Sequence, residues 1–283
     1  MAESKDAARE LLDLTRELRA RLEIPGEAEA SFGRIPAAAN STMDDTHRQT
    51  TRPQAASSGA GTAGRKASST GPIREIDLRP GMSAALEALA TEIKACRRCP
   101  LGKSRLQAVP GVGSPDARVV FIGEGPGYQE DRKGEPFVGP AGKLLDKILA
   151  SIGLSRETVY IANVVKCHPM KDPTNPDLRG NDRPPTPEET ETCLPFLQRQ
   201  LGVISPDIVV ALGASALRVL APQAGGLSKV RGTWMSYSMP DGKTFKLLPT
   251  YHPAALLRNP NWKKDVWTDM KALRQELSLR ENR

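Results

Sequence analysis

Short apolar runs that alternate with amphipathic segments constrain the fold of this chain more than any other feature. Val119–Ile122 and Ile208–Leu212 are wholly apolar, Val159–Val165 nearly so, and a fourth run, Phe245–Pro249, follows. A strand that is apolar on both faces is typical of a parallel sheet covered by helices on both sides. We therefore predict an α/β fold: a three-layer α/β/α domain around a central, mostly parallel sheet of four strands.

The segments between these runs have helical spacing and recognisable helix ends. Thr186 and Glu189 form a capping box with Pro187 at the first helical position, which predicts the start of a helix. Ser83 is expected to cap an earlier helix. The predicted helices are Ser83 to the first cysteine, Ala141–Ile152, Thr186 to about Leu201, Ser215–Leu220 and Trp262–Leu277.

The first 80 residues differ in character from the rest. Leucines recur at helical spacing in residues 1–23, which predicts an amphipathic helix that needs a protein partner or frays. Residues 24–80 are rich in Ala, Ser, Gly, Thr and Pro, which predicts a disordered linker. The folded domain is therefore expected to span residues 81–283.

Composition and charge exclude several classes of protein. No apolar run reaches 18 residues and the start has no apolar signal region, so neither a membrane span nor secretion is expected. Four cysteines among 283 residues do not make a disulfide scaffold, which favours a reduced, cytoplasmic setting. Residues 1–80 hold 12 basic and 12 acidic residues, so the whole net charge of +7 lies on residues 81–283. That excess favours a polyanionic partner, although a solvated basic surface would give the same count.

The four cysteines form the strongest single constellation. Cys96 and Cys99 are a C-x-x-C pair, and Cys167 and Cys193 follow after 67 and a further 25 residues. All four fall beside predicted element ends, which indicates a four-cysteine metal site. Thiolate quartets bind zinc or an iron–sulfur cluster, and the spacing does not distinguish the two.

Ligands of parallel sheets bind beyond the carboxyl ends of the strands, where a glycine-rich loop begins at Gly123. Its amides suit a developing anion, and Glu124 between Gly123 and Gly125 is expected to be exposed to a ligand. The loop matches neither a dinucleotide fingerprint nor a phosphate-binding P-loop. A tight turn without function would also explain its glycines.

Phe137 and Asn163 are candidates for contacts with a planar ring. Phe137 lies in a polar, glycine-rich stretch and suits ring stacking, although a plain core position is the alternative. Asn163 interrupts an apolar strand, which is costly unless its amide has partners. Those partners are either the edge of a nucleobase or the neighbouring backbone.

The loop after the fourth predicted strand, residues 250–260, contains His252, one of three histidines in the chain. A histidine there can stabilise an anionic leaving group or move a proton. Leu256, Leu257 and Arg258 resemble an apolar wedge that enters a base stack while the arginine contacts phosphate. The alternative is a capping turn with its leucines packed inward.

Together these motifs resemble the family 4 uracil-DNA glycosylases, the iron–sulfur members of the uracil-DNA glycosylase superfamily. The resemblance covers roughly residues 84–278. It is carried by Cys96-x-x-Cys99, Gly123-Glu124-Gly125-Pro126-Gly127 with Glu130-Asp131, Pro136-Phe137-Val138-Gly139-x-Ala141-Gly142, Asn163-Val164-Val165-Lys166-Cys167, Cys193-Leu194-Pro195 and His252-Pro253.

The resemblance implies a monofunctional glycosylase that removes a flipped-out uracil from single- or double-stranded DNA. It implies a structural [4Fe-4S] cluster on Cys96, Cys99, Cys167 and Cys193. The implied roles in the uracil site are as follows: Gly123, Glu124 and Gly125 form the pocket, Phe137 stacks, Asn163 reads the O4/N3 edge, His252 lies near O2, and Glu130 excludes the thymine methyl.

A second hypothesis is a non-catalytic, metal-bearing DNA-binding module associated with replication. The joint presence of Glu124, Phe137, Asn163 and His252 favours the enzyme, because a binding module has no need of a uracil-shaped pocket. Nothing in the sequence demands a dimer, so we expect a monomer.

Overall fold

The computed structural model describes residues 80–281. The predicted N-terminal helix in residues 1–23 and almost all of the predicted linker lie outside the described residues. No helix in the described part is both long and apolar enough to cross a membrane.

The described residues form one sheet of six strands. Its order is β1-β3-β2-β4-β6-β5, in which β3, β2, β4 and β6 are parallel and the two edge strands are antiparallel to their neighbours. The strands are β1 (Val112–Gly113), β2 (Val119–Gly123), β3 (Tyr160–Asn163), β4 (Ile208–Leu212), β5 (Met235–Ser238) and β6 (Thr244–Thr250).

The four predicted strands are the four parallel ones, and the predicted count of four misses both edges. The first edge strand has two residues, too few to produce a pattern. The second, Met-Ser-Tyr-Ser, buries only Tyr237 and so lacks an apolar run. Edge strands of this kind are short or half polar because they meet the core on one side only.

Helices cover both faces of the sheet, which confirms the three-layer α/β/α architecture. Val120 and Ile122 of β2 face a core that includes Ile93 and Leu197, whereas Val119 and Phe121 face the opposite core. The helices are α1 (Pro80–Ala95), α2 (Pro100–Ser104), α3 (Tyr128–Lys133), α4 (Pro140–Ser151), α5 (Pro187–Ile204), α6 (Gly213–Leu220), α7 (Leu227–Val230), α8 (Pro253–Arg258), a 3₁₀ turn (Pro260–Trp262) and α9 (Lys263–Glu281).

Two predicted helix caps have different outcomes. The Thr186 hydroxyl accepts from the Glu189 amide at 3.2 Å and the Glu189 carboxylate accepts from the Thr186 amide at 2.8 Å, which confirms the capping box of α5. The Ser83 cap is wrong: α1 begins at Pro80, and the Ser83 hydroxyl donates to Glu87 from inside the helix. Ser83 thus lies three residues inside the described part of α1.

Parallel pairing brings the ends of the central strands to one edge. Gly123 at the end of β2 is in register with Asn163 at the end of β3, and β4 and β6 end beside them at Leu212 and Thr250. The loops that carry the predicted site residues therefore leave the sheet from the same edge.

Candidate active site

A cavity of about 800 Å³ lies at this carboxyl edge of the sheet, and we call it the base pocket. Its walls come from the loop after β2, the end of β3, the start of α6, the loop after β6 and part of the 168–187 segment. The predicted site residues that line it are Glu124, Gly125, Glu130, Phe137, Asn163, His252 and Arg258. These seven residues, which come from separate loops, thus share one cavity, whereas Gly123, Leu256 and Leu257 do not line it.

Gly123 shapes the base pocket from behind rather than lining it. A Cβ atom at this position would overlap the Asn163 side-chain oxygen and would lie 2.7 Å from Cζ of Phe137. Only glycine lets these two side chains approach each other over the end of β2. Gly123 thus shapes the pocket by leaving room for the Asn163 and Phe137 side chains.

Phe137 is held in an unusual backbone conformation. Its φ of +54° lies in the left-handed region, which costs energy for a residue with a side chain. Arg156 donates to the carbonyl oxygens of Pro136 and Phe137, and a Cβ on Gly142 would overlap the Phe137 carbonyl. These neighbours fix the ring where it packs in the core and also lines the base pocket. The core position is therefore confirmed, and stacking on a planar ligand stays a prediction.

The Asn163 side chain carries an unsatisfied buried acceptor. The residue is 2% exposed, and its Oδ1 has no hydrogen-bond partner. An orphaned buried acceptor costs about 1–3 kcal/mol, which favours a ligand that brings a donor. The alternative, an amide satisfied by neighbouring backbone, does not hold for this oxygen.

Glu124 is less exposed than the sequence predicted. It is half-buried, and its Oε1 is buried without a hydrogen-bond partner. Walls of the base pocket cover it, which the flanking glycines did not reveal. One carboxylate oxygen in the pocket is therefore available to accept a hydrogen bond from a ligand.

Glu130 ties both ends of the glycine-rich loop together. Its Oε1 accepts from the amides of Val138 and Gly139 at 2.9 and 3.1 Å, and its Oε2 accepts from the amide of Gly127 at 3.2 Å. The carboxylate thus has a fixed position beside Phe137. This bracing role was not predicted, and its local signal is a glutamate three residues after Gly127, the residue that precedes α3.

His252 is neutral and has a defined tautomer. Its Nδ1 accepts from the Ala254 amide at 3.1 Å, so the proton of the neutral ring is on Nε2. Burial, assisted by the nearby Arg258 charge, lowers the pKa of His252 to about 4. The ring stacks on Phe137 with centroids 5.3 Å apart. His252 therefore presents one neutral N–H donor beside the stacking ring.

The proposed wedge is only partly at the surface. Leu256 is 1% exposed and belongs to the core, whereas Leu257 is 49% exposed and Arg258 is also exposed. The turn of α8 places successive side chains on different faces, so Leu256 cannot enter a base stack from this conformation. The capping-turn alternative is thus correct for Leu256, and the wedge prediction remains for Leu257 and Arg258.

The four cysteines come together against one apolar core, and we call them the four-cysteine group. None of them forms a disulfide. Cys96 follows α1, Cys99 caps α2, Cys167 follows β3 and Cys193 lies within α5. Cys167 and Cys193 belong to the core on the α1 side of the sheet, and the other two pack against it. Burial raises the pKa of the Cys167 thiol to about 12 and also raises that of Cys193.

Comparison with known proteins decides the family. A family model described as the uracil DNA glycosylase superfamily matches residues 110–271. A type-4 uracil-DNA glycosylase from Archaeoglobus fulgidus is 44% identical over 193 residues, which are 67% of this chain and 92% of that protein.

The chain belongs to the type-4 uracil-DNA glycosylases of this superfamily. Another type-4 member, from Thermotoga maritima, is 45% identical over 62% of this chain and 84% of its own length. A type-5 uracil-DNA glycosylase from Thermus thermophilus is 31% identical over 59% of this chain and 85% of its own length. The identity is thus higher to these type-4 members than to the type-5 protein.

The type-4 family implies an iron–sulfur cluster, and the surroundings of the four-cysteine group fit an anionic, thiolate-bound group. Arg105 donates to the sulfur of Cys167 at 2.9 Å, the Lys166 amide to Cys193 at 3.2 Å and Arg98 to Cys96 at 3.5 Å. Hydrogen bonds to the sulfurs are a feature of iron–sulfur sites.

Among residues 81–280, no group of three or more His, Cys, Asp or Glu side chains is arranged as a closed metal site.

Lys166 is a buried charged residue of this type-4 member to which the sequence motifs gave no role. It is 1% exposed, and its ammonium donates to the Asn163 carbonyl and to Gln200 Oε1, both at 2.7 Å. Burial lowers its pKa to about 8, and the thiols of Cys193 and Cys167 act in the opposite direction. The available signal was a lone lysine between Val165 and Cys167 in an otherwise apolar run.

Proposed function

We propose that this chain is a monofunctional uracil-DNA glycosylase, which hydrolyses the N-glycosidic bond of a flipped-out uracil in base excision repair. The observation that carries the proposal is the buried, unpartnered Oδ1 of Asn163 beside the ring of Phe137 and the N–H of His252. A base inside a duplex cannot reach such a recess, so it must leave the stack.

Asn163 supplies the reading of the base. Its Oδ1 accepts from the N3–H of uracil, and its amide nitrogen donates to O4. Cytosine presents an unprotonated N3 and an amino group at these positions, so polar atoms would face each other without hydrogen bonds. Leaving buried polar groups unpaired supports strong rejection of cytosine.

Phe137 and Glu130 supply the stacking face and the limit on base size. The strained backbone of Phe137 and its contact with His252 leave little freedom for the ring. Glu130 is braced by three amides, so its carboxylate cannot easily move away from a methyl group. This rigidity supports the exclusion of thymine.

His252 and Glu124 supply the chemistry. Cleavage of the N-glycosidic bond gives the sugar oxocarbenium character while negative charge develops on uracil O2. The neutral Nε2–H of His252 donates to that oxygen, and one such donor can contribute about 3–4 kcal/mol. The free Glu124 oxygen stabilises the sugar cation or orients the attacking water.

A [4Fe-4S] cluster on Cys96, Cys99, Cys167 and Cys193 has a structural role in this proposal. When bound, it supplies a rigid cross-link between the end of β3 and α1, α2 and α5, and it takes no part in bond cleavage. Brown colour, absorbance near 400 nm and iron rather than zinc in the purified protein test this assignment. A Cys167→Ser chain that stays stable and active without colour would contradict it.

The remaining partners follow from the same activity. Leu257 and Arg258 contact the stack and backbone around the extruded nucleotide, and the substrate is uracil in single- or double-stranded DNA. Access to DNA and reduced thiols fit the cytoplasmic setting expected from the sequence. Gel filtration of the free protein tests the expected monomer.

Incubation with an end-labelled uracil oligonucleotide followed by alkali tests the function. Strand breakage at the uracil after alkali, and no breakage before it, is expected for a glycosylase without lyase activity. Matched oligonucleotides with cytosine or thymine at the same position serve as controls. Tight binding to the uracil strand without breakage would instead support the non-catalytic DNA-binding module.

A further inference from the structure

The 168–187 segment forms one wall of the base pocket, and none of the roles assigned above uses its tip. An antiparallel bridge joins Met170 to Asp182, and Lys171 donates to the Asn181 carbonyl at 2.8 Å. At the base of the segment, Arg183 forms a bidentate pair with the buried Glu189 of α5. The segment is therefore anchored to the domain.

Asn181 braces the segment from inside. It is 1% exposed, its amide donates to the carbonyls of Asp172 and Asn175, and its Oδ1 accepts from the Asp172 amide. The Asp172 carboxylate in turn accepts from Thr174, so it is engaged in a local turn. Such internal satisfaction gives residues 172–181 a defined shape rather than a loose loop.

The tip of this segment exposes Leu178 and Arg179 beside the base pocket. Leu178 is 48% exposed, nearly the same as Leu257 at 49%, and each leucine precedes an arginine that lines the pocket. The two leucine–arginine pairs belong to different walls, one to the 168–187 segment and the other to α8. A single exposed leucine is common on protein surfaces, so the argument rests on its place: Leu178 directly precedes an arginine that lines the base pocket, as Leu257 does.

Arg179 has a charge that no carboxylate neutralises within the described part of the chain, and the same holds for Arg258. In contrast, Arg132 pairs with Asp177, and Arg183 pairs with Glu189. The guanidinium of Arg179 lies 6.0 Å from the centre of the Tyr128 ring, which orients it towards the pocket wall.

We propose that Leu178 and Arg179 are a second DNA contact of this protein, on a different wall of the base pocket from Leu257 and Arg258. Arg179 binds a backbone phosphate of the strand that carries the extruded nucleotide, and Leu178 packs against the adjacent nucleotide. The two pairs then hold the strand from two walls of the base pocket. This inference rests on the proposed function, since it takes the substrate DNA as the ligand.

The salt dependence of binding tests the arginine. The probe is a duplex with a stable abasic-site analogue, which the enzyme cannot cleave. With Arg179→Ala we expect roughly fivefold weaker binding and a slope of log affinity against log salt that is smaller by about 0.9, as for the loss of one phosphate contact. Arg179→Lys should keep the slope. Arg274→Ala, on the exposed side of α9, is the matched control and should match the wild type in both quantities.

Leu178→Ala tests the apolar part of the contact. It should weaken binding to the same duplex with no change in slope, because it removes no charge. For both positions the loss of affinity should exceed any loss of the excision rate at saturating enzyme.

Three results would overturn the proposal. Wild-type affinity and slope in Arg179→Ala would exclude the phosphate contact. A loss of excision rate at saturation larger than the loss of affinity would place Arg179 in the chemistry instead. An equal loss in Arg274→Ala would show a general charge effect. Failure of the wild type to excise uracil would refute the proposed function. The binding measurements would still test the DNA contact, because they use a duplex that is not cleaved.

Discussion

The base pocket and the four-cysteine group are joined by residues 163–167, yet they differ in the hydrogen bonding of two buried pocket oxygens and three cysteine sulfurs. In the base pocket, Asn163 Oδ1 and Glu124 Oε1 are buried without partners. In the four-cysteine group, the sulfurs of Cys96, Cys167 and Cys193 each accept a hydrogen bond. Buried oxygens without hydrogen-bond partners suit a substrate that binds transiently and supplies the missing donors. Sulfurs that already accept hydrogen bonds suit a permanently bound group.

Removal of the His252 donor is the strongest way to test the pocket side of this comparison. His252→Ala should slow uracil excision by about 10²–10³-fold, because charge on O2 loses its donor, while DNA binding changes little. The measurement is the single-turnover excision rate beside the affinity for uncleavable DNA.

His252→Asn is the matched variant, because asparagine can still cap α8 as the imidazole does through the Ala254 amide. Both variants should lose activity, and only the alanine should also lose about 1 kcal/mol of stability. Full activity in His252→Ala would remove His252 from the mechanism, whereas activity kept in His252→Asn alone would show that the asparagine N–H replaces the imidazole donor.

A methyl group placed into the pocket wall should have the next largest effect. Gly123→Ala brings a Cβ to 2.7 Å from Phe137 and into overlap with Asn163, so both recognition side chains must move. We expect at least about a tenfold loss of excision and a stability loss of about 1–3 kcal/mol.

Gly81→Ala is the control for this substitution, since nothing lies within 4 Å of its added Cβ. Thermal unfolding and excision rates of both variants provide the measurement. Equal behaviour of Gly123→Ala and the wild type would show that Asn163 and Phe137 are not held as described.

Lys166 connects the two regions, so its substitution shows whether they are coupled. Lys166→Met removes the donor to the Asn163 carbonyl and to Gln200, and we expect a stability loss of about 2–4 kcal/mol. Excision and absorbance near 400 nm should fall together. Lys147→Met on the exposed side of α4 is the control, and loss of one property alone would show that the regions act separately.

Acidification should lower the stability of the folded protein through His252. The pKa of His252 in the folded protein, about 4, is below the ordinary value near 6.5, so folding favours the neutral ring. Its contribution to stability is complete above pH 6.5 and is lost as the pH falls towards 4. The wild type should therefore lose more thermal stability between pH 7 and pH 4 than His252→Asn does, and NMR should show a neutral ring at pH 5.5.

The sequence predicted well those elements whose surroundings in the fold require a recognisable local pattern of residues. β4 was predicted to the residue because both of its faces are buried, and the capping box marked the start of α5. β1 and β5 could not be found, since edge strands need no apolar run. The pocket residues could be predicted from loops far apart in the sequence, because parallel strands bring the loops at their carboxyl ends to one edge of the sheet.

The parts that sequence could not predict depend on contacts across the fold. The burial of Leu256 beside the exposed Leu257 depends on how α8 packs on the core. The buried charge of Lys166 depends on Gln200, a partner 34 residues away in the chain. These are properties of tertiary packing rather than of local pattern.

The bracing by Glu130 has a consequence for attempts to redesign the base preference. The same carboxylate closes the loop from Gly127 to Gly139 into a ring that includes Phe137. A shorter side chain at position 130 that made room for a methyl group would also open that ring and free the aromatic platform. A substitution at position 130 that admits larger pyrimidines would therefore also loosen the site. A redesigned enzyme would need new hydrogen bonds to hold the loop from Gly127 to Gly139 closed.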